Sequence, residues 1–394
     1  MFYPYNTRQA RFIAIAKELA SEFSTRAANH DVNGTFPYEN YADIRAAGLP
    51  SLIIPQEYGG WGASLLETVM VMHTLAQGDG STALSLSMHM QTMGSAAEER
   101  QWPDPLFTKI CQDSVERGAL INAIATEPEL GSPSRGGKPK TTAHPVHGVH
   151  GQPTAWQLNG HKNYASMIPA LDYMITAAAL QDGSDLVARF VIPTDTQGIE
   201  IVETWNAMGM RTTGSHDVLL KDVQVADENI IMRSDTTKPT VGGKTNAWFM
   251  LVISAVYVGV AEAALQVAAA YAKERVPTAL GKPIATLESI QRYLGQAELL
   301  LSQAKTHLYH NAQMWDQHPD QRVALSPSVI IAKYTATNNA IAAVDHCMRV
   351  AGGVSMTKTL PLERYYRDVR GGLSHPVNDD QALVMLGRQV VDSI

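Results

Sequence analysis

A chain of 394 residues is too long for one ordinary hydrophobic core, so we expect two or three domains. Its composition, 45% hydrophobic and 18% charged, is that of a globular protein. A net charge of −7 without a Lys/Arg cluster argues against nucleic acid as a partner. The only cysteines, Cys111 and Cys347, are far apart in the chain, which excludes a disulfide framework and predicts a reducing, cytoplasmic setting.

The first third of the chain is predicted to be helical. Phe12, Ile15, Leu19 and Phe23 recur at helical spacing, and no strand pattern is found before residue 118. Further helices are predicted over Tyr38–Ala47, Ser64–Gly78 and Thr82–Glu99.

The middle third is predicted to be a β-sandwich or barrel, because short β-rich runs alternate there with Gly, Pro, Asn and Asp. These runs are Ala119–Thr126, Trp156–Leu158, Tyr173–Ala179, Val187–Ile192, Ile199–Trp205 and Val218–Val225. Asn159-Gly160 has the residue types of a hairpin turn.

The last third is predicted to be an antiparallel helical bundle. Its long helices are expected at Trp248–Arg275, Thr286–Trp315 and Ser328–Ala351, followed by a final helix at Gln381–Val391. Ser326 and Pro327 are interpreted as the cap and first residue of the third long helix. The predicted fold is therefore multidomain α+β, with a helical domain at 1–117, a β domain at 118–234 and a bundle at 235–394.

Neither a membrane span nor a metal site is predicted. The longest uncharged stretch, Ala247–Ala261, is shorter than the roughly 20 residues that cross a bilayer. The N-terminus also lacks a signal-peptide pattern. His144, His147 and His150 are regularly spaced, but Pro145 disfavours a helix and no carboxylate or cysteine completes a ligand set.

Several motifs occur in an order that resembles acyl-CoA dehydrogenases over nearly the whole chain. They are LIIPQEYGGWG (Leu52–Gly62), ATEPELGS (Ala125–Ser132), NGHKNYAS (Asn159–Ser166), GKPIATLESIQ (Gly281–Gln291), the pair Gly352-Gly353 and Tyr366–Asp368. The resemblance implies a helical domain, a central β domain and a four-helix bundle that together hold FAD. It also implies oxidation of a CH–CH bond of an acyl-CoA in fatty acid metabolism, with an electron-transfer flavoprotein as acceptor, by a homodimer or homotetramer.

The same resemblance implies which residues contact the cofactor. Thr126 would bond the edge of the flavin ring, and Ser132 would lie near the cofactor. Tyr164 replaces the family's Trp against the ring, and Ser166 replaces the Thr near the hydride-accepting nitrogen. Both replacements keep the chemistry, an aromatic face and a hydroxyl.

A second group of residues is implied to serve the FAD of a neighbouring subunit. Arg275 would bind its pyrophosphate, since a guanidinium suits bidentate phosphate recognition. Gly352 and Gly353 would let the backbone approach that cofactor closely. The loop after Arg275 is two residues longer than the family pattern.

The family's usual catalytic base is missing. An ungapped count from Arg367-Asp368 places Pro376 where most members have the base, a Glu, and the alternative family position falls near Phe249-Met250. One interpretation is a shifted loop in which Asp379, Asp380 or His375 is the base. Asp379-Asp380 is equally an ordinary first turn of the final helix.

A different chemistry is the other interpretation. Flavin-dependent monooxygenases on this fold, which use reduced flavin and oxygen, also have a His followed closely by Pro-Val, as in His375-Pro376-Val377. A flavin-binding protein without turnover is a third alternative.

Overall fold

The computed structural model describes residues 3–130, 137–148, 152–235 and 245–392. Its N-terminal region is helical, and the described residues before position 118 contain no strand, as predicted. Its helices are α1 (Thr7–Asn33), α2 (Tyr38–Ala46), α3 (Leu65–Ala76), α4 (Gly80–Glu99) and α5 (Asp104–Glu116). Buried Phe12, Leu19 and Phe23 form the inner face of α1, so its core side is the one given by the helical spacing.

The central region is a mixed sheet. Its strands are β1 (Ile121–Ile124), β2 (Thr142–His147), β3 (Pro153–Ala165), β4 (Tyr173–Leu180), β5 (Leu186–Pro193), β6 (Ile199–Val202), β7 (His216–Ala226) and β8 (Ile230–Asp235). They are ordered β6-β7-β3-β2-β4-β5-β8, and β1 pairs in parallel with β4. The predicted β domain between two helical regions is therefore present.

The predicted hairpin turn at Asn159-Gly160 is wrong. Both residues lie inside β3, where Asn159 pairs with Thr142 of β2 and Gly160 pairs with Leu220 of β7. Glycine is needed at position 160 for packing, because a Cβ there would collide with the side chain of Thr141. Pairing on both sides of the strand thus overrides the local turn preference.

The C-terminal region is a bundle of long helices. It comprises α6 (Ala247–Glu274), α7 (Glu288–Gln317), α8 (Arg322–Ala351), α9 (Leu362–Asp368) and α10 (Asp379–Asp392). Helix α6 is long and apolar enough to cross a membrane, but 83% of its most apolar window is buried inside the protein. It is the central helix of the bundle, as its uncharged sequence indicated.

The predicted start of the third long helix is wrong. Helix α8 begins at Arg322, so Pro327 lies inside it. The Ser326 hydroxyl, interpreted above as a cap, donates to the carbonyl of Arg322 at 3.0 Å and accepts the N–H of Thr245 at the same distance. Pro327 is the sixth residue of α8, so the helix lacks one backbone hydrogen bond there.

Two carboxylates join the N-terminal helices to the bundle. Asp316, at the end of α7, accepts the N–H groups of Leu65 and Leu66 at 3.0 and 2.9 Å, which caps α3. Glu98 of α4 accepts the indole N–H groups of Trp248 and Trp315 at 3.0 and 2.9 Å. The two helical regions therefore pack as one body.

Candidate functional site

A chain of hydroxyl groups leads from the β domain toward the bundle. Ser166 Oγ lies 2.9 Å from Ser215 Oγ, which lies 2.7 Å from Thr213 Oγ1. Thr213 donates to the carbonyl of Met210 at 3.1 Å, and the Met210 N–H donates to buried Asp368 at 2.6 Å. Ser166 is therefore held in a hydrogen-bonded series that ends at α9.

Tyr164 projects from the end of β3. Its φ is 55°, and its side chain is 59% exposed. The ring meets Trp205 edge-on at 6.1 Å. The Ser166 N–H bonds the Tyr164 carbonyl at 2.8 Å, and Asn122 Nδ2 bonds the Ser166 carbonyl at 3.0 Å. The turn is thus fixed while the aromatic face stays open.

Thr126 is the second residue after β1, and its carbonyl accepts the Asn163 N–H at 3.0 Å. Next to it is a buried ion pair, with Lys162 Nζ 2.6 Å from Glu127 Oε1. Burial opposes ionisation of Glu127, but hydrogen bonds from Lys162 and Thr141 outweigh it and lower the carboxyl pKa. This pair ties the strand end that carries Thr126 to β3.

His375 lies on the bundle side of the site. Its ring centroid is 5.8 Å from that of Tyr257 and 6.2 Å from that of Phe249, both on α6. Burial, together with the positive charge of Lys333, lowers the pKa of the imidazole to about 4. The ring is therefore neutral near pH 7. In the chain, His375 directly precedes Pro376.

The two acidic candidates are placed differently. Asp379 Oδ2 accepts from Asn338 Nδ2 of α8 at 3.1 Å, while its buried Oδ1 has no partner among the described residues. Asp380 is exposed. Asn378 and Gln381 form reciprocal side-chain to backbone bonds at the start of α10, so the cap is Asn378. The two aspartates occupy the first turn, where a helix dipole favours negative charge.

A cavity of about 280 Å³ lies between α4, the β domain and the start of α6. Ala125, which follows β1 and precedes Thr126, lines it, and so does Asn246, the N-cap residue of α6. Asn246 caps α6 by accepting the N–H of Phe249 at 2.9 Å, and Phe249 contacts His375. Thr126 and His375 themselves are not among the residues that line this cavity.

The residues implied to serve a neighbouring subunit lie on the surface. Arg275 is exposed at the end of α6. Gly352 and Gly353 are exposed too, and a Cβ added to either would meet no atom of the described chain within 4 Å. All three are accessible to another molecule. Ser132 and His150 lie outside the described residues.

The fit of a flavin is supported by buried oxygens at this site. Asn163 Oδ1, beside Tyr164, and Thr212 Oγ1, beside Thr213, are buried without a partner among the described residues. Buried polar groups are normally hydrogen-bonded, and a flavin ring carries both donors and acceptors. No group of His, Cys, Asp and Glu in the described ranges has the arrangement of a metal site.

Three protein-family models match in succession along the chain. The acyl-CoA dehydrogenase N-terminal, middle and C-terminal domains match residues 7–103, 122–223 and 251–380. "Putative acyl-CoA dehydrogenase YdbM" of Bacillus subtilis (strain 168) is 38% identical over 388 residues, which is 98% of both chains. The chain belongs to the acyl-CoA dehydrogenase family. The resemblance predicted from the motifs is confirmed.

Solved structures of this family fold are similar to the chain along its whole length. Butyryl-CoA dehydrogenase from Megasphaera elsdenii has a TM-score of 0.86 at 22% identity and covers 99% of this chain and 100% of its own. FMN-bound TdsC from Paenibacillus sp. A11-2, which is also described as a dibenzothiophene monooxygenase, has a TM-score of 0.86 at 22% identity and covers 98% of both chains. At this identity the two structures confirm the predicted fold class and nothing finer.

Several site residues were missed from the sequence. Tyr257 and Lys333 lie on α6 and α8, far in the chain from the loop they contact, and no local pattern marks them. Glu127 and Lys162 lie inside two motifs quoted above, ATEPELGS and NGHKNYAS. A charge of each sign within two apolar strand segments was the available signal for that pair.

Proposed function

We propose that this protein is a flavin-dependent oxidoreductase of the acyl-CoA dehydrogenase type, which oxidises a CH–CH bond of an acyl thioester. The observation that carries the proposal is the imidazole of His375, packed against Phe249 and Tyr257 of α6. The hydrogen-bonded series that starts at Ser166 ends at Asp368, in the segment just before the loop that carries His375. A candidate proton acceptor is therefore linked to the side of the site that carries Ser166.

The cofactor is a flavin, as predicted, because the chain belongs to a flavin-dependent family, and FAD is the form typical of that family. When bound, the flavin supplies a hydride acceptor. Tyr164 offers the open aromatic face, and the hydroxyls of Thr126 and Ser166 offer hydrogen bonds at the ring edge. Oxidation of a CH–CH bond also requires removal of a proton from the carbon next to the thioester carbonyl.

We assign the acceptor of that proton to His375. A free imidazole nitrogen takes the proton, which makes the ring cationic, and release to water restores the neutral form. Asp379 is hydrogen-bonded to Asn338, and Asp380 is exposed to solvent. We therefore prefer His375 to either aspartate as the proton acceptor. Pro376 has no N–H and donates nothing to a substrate oxygen.

The test of this function is anaerobic addition of acyl-CoA thioesters of several chain lengths to the flavin-loaded protein. Loss of the oxidised-flavin absorbance is the expected result. His375→Asn should slow that loss by about 10²–10⁴-fold, the usual contribution of a general base. The matched control, Asp380→Asn, should keep the wild-type rate. Absence of bleaching with every thioester would overturn the proposal.

A monooxygenase that uses reduced flavin and oxygen is the second candidate function. It is favoured by Pro376 at the position of the usual carboxylate and by similarity in fold to TdsC. An oxygen-dependent product that requires externally reduced flavin would support it. A tightly held oxidised flavin that acyl-CoA bleaches would exclude it, and bound flavin that supports neither reaction would favour a role without turnover.

The remaining assignments are part of the same proposal. An electron-transfer flavoprotein is the proposed acceptor, and the proposed setting is cytoplasmic fatty acid metabolism. The proposed assembly is a homodimer or homotetramer in which exposed Arg275, Gly352 and Gly353 contact the FAD of a neighbouring subunit. Size-exclusion chromatography with light scattering tests the assembly, and Arg275→Gln should weaken flavin retention without unfolding the subunit.

A further inference from the structure

A lysine lies buried beneath the loop that carries His375. Lys333 of α8 is only 1% exposed. Its amine donates to the carbonyl of Gly372 at 3.2 Å, and this is its one hydrogen bond within the described chain. Burial of an amine without a contact ion pair is costly, so the position calls for a function other than stability.

The loop is pressed onto the same face of α8. Gly372 lies in the short 3₁₀ helix Val369–Leu373, and a Cβ on it would approach Thr337 Cγ2 to 3.0 Å. Thr337 is one helical turn after Lys333. A Cβ on Gly371 would approach the Tyr257 hydroxyl to 2.8 Å. Lys333 and Thr337, both on α8, thus lie against Gly372, which is three residues before His375 in the chain.

The imidazole contacts two rings on one helix, and the charge that acts on it comes from another. Helix α6 contributes Phe249 and Tyr257, whose buried hydroxyl has a raised pKa because of its burial. Helix α8 contributes Lys333, and α10 contributes Asp379, whose charge acts on Lys333. Lys333 is therefore the cation that acts on the ring, and it opposes a second positive charge there.

We propose that Lys333 is a positioning residue for His375, which fixes the loop through Gly372 and keeps the imidazole neutral through its own positive charge. The role of His375 as proton acceptor rests on the function proposed above. The arrangement of Lys333 and the ring does not, so the two can be tested separately. The neutral ring is the form that can take a proton from a substrate, and the Lys333 charge extends that form to lower pH.

The experiment is a titration of His375 by NMR in the flavin-loaded protein, with the resonance assigned by its loss in His375→Asn. In the wild type the pKa is expected at about 4. Lys333→Gln keeps a donor for the Gly372 carbonyl and removes the charge, so the imidazole pKa should rise by about one unit or more. Lys358→Gln removes an exposed lysine and should leave it unchanged.

Measurements of activity distinguish the effect of the Lys333 charge from the effect of its hydrogen bond to Gly372. In Lys333→Gln the acid limb of the rate of flavin bleaching by acyl-CoA should move to higher pH with little change in KM. Lys333→Met removes the donor as well, and its kcat should be lower than that of Lys333→Gln by a factor of about ten. If Lys333→Met does not fold, the titration of Lys333→Gln still decides.

Two outcomes differ in what they overturn. A His375 pKa in Lys333→Gln equal to that of the wild type overturns the role of Lys333, whatever the activity. A raised pKa in a protein that no thioester bleaches supports the role of Lys333 and overturns the proposed dehydrogenation.

Discussion

Two lysines are buried in the described part of the chain, and their surroundings differ. Lys162 in the β domain is 0% exposed, lies 2.6 Å from Glu127 and also donates to the Ala177 carbonyl at 2.8 Å. Lys333 in the bundle is 1% exposed, and its one hydrogen bond is to the carbonyl of Gly372 at 3.2 Å. Burial lowers the pKa of both.

The difference indicates two uses of a buried charge. Lys162 completes a neutral, fully bonded pair that joins two strands, and breaking such a pair leaves an uncompensated charge. Lys333 has no such partner in contact, so its charge is available to act on the loop and on His375. Lys162 belongs to the scaffold of the β domain, and Lys333 lies beneath the loop that carries His375.

The largest effect is expected from breaking the ion pair. Lys162→Met leaves the Glu127 carboxylate buried beside Thr141, and we expect a loss of about 3–5 kcal/mol in the free energy of unfolding. Urea unfolding followed by circular dichroism measures it. The control is the exposed pair formed by Lys221 and Glu200, where Lys221→Met should cost less than about 1 kcal/mol. Equal losses in the two variants would contradict the scaffold role.

A methyl group at position 160 should disturb the same pair indirectly. Gly160→Ala places a Cβ against Thr141, which donates to Glu127 through both its hydroxyl and its N–H. Overpacking of this kind costs about 1–3 kcal/mol. A wild-type unfolding midpoint in Gly160→Ala would mean that position 160 is a loose turn rather than a packed strand position. Gly295→Ala, in open space within α7, controls for the change of glycine itself.

Removal of the other buried lysine should affect stability much less. Lys333→Met loses one hydrogen bond but also removes a buried charge, so we expect a change within about 1 kcal/mol. The same urea experiment measures it. A loss as large as that of Lys162→Met would make Lys333 a scaffold residue and remove the contrast between the two.

The smallest expected effect is on the pH dependence of stability. The pKa of Glu127 is lower in the folded protein than in the unfolded chain, so its contribution is present above about pH 4.3 and is lost as pH falls through the folded-state pKa. Glu127→Gln should therefore show a shallower loss of stability on acidification than the wild type. Equal slopes would mean that the carboxylate is not stabilised by Lys162.

Local patterns predicted most helices and strands because each has its own spacing or punctuation. They missed β2, since its sequence TAHPVH, Thr142–His147, contains Pro145 and few β-branched residues. The turn at Asn159-Gly160 and the cap at Ser326 failed because tertiary pairing and packing decided those positions. Local preference is a weak constraint where a strand is paired on both sides.

The candidate site could be proposed from the sequence only where it follows the family motifs. Thr126, Tyr164 and Ser166 are quoted within those motifs, and the structure places them at the ends of β1 and β3. The surroundings of His375 come from α6, α8 and α10, whose contacts with the loop depend on how the bundle packs. Asp379 illustrates the limit, since its bond to Asn338 follows from the docking of α10 on α8.

The carboxylates Asp316 and Glu98 have a consequence for how the chain folds. They belong to a helical body whose two halves are separated in sequence by the whole β domain. During synthesis the faces of α3 and α4 that meet α6 and α7 stay without partners until the last third of the chain has emerged. Such long-range contacts slow folding and expose apolar surface meanwhile, so we expect the N-terminal helices to complete their packing only after the bundle has been synthesised.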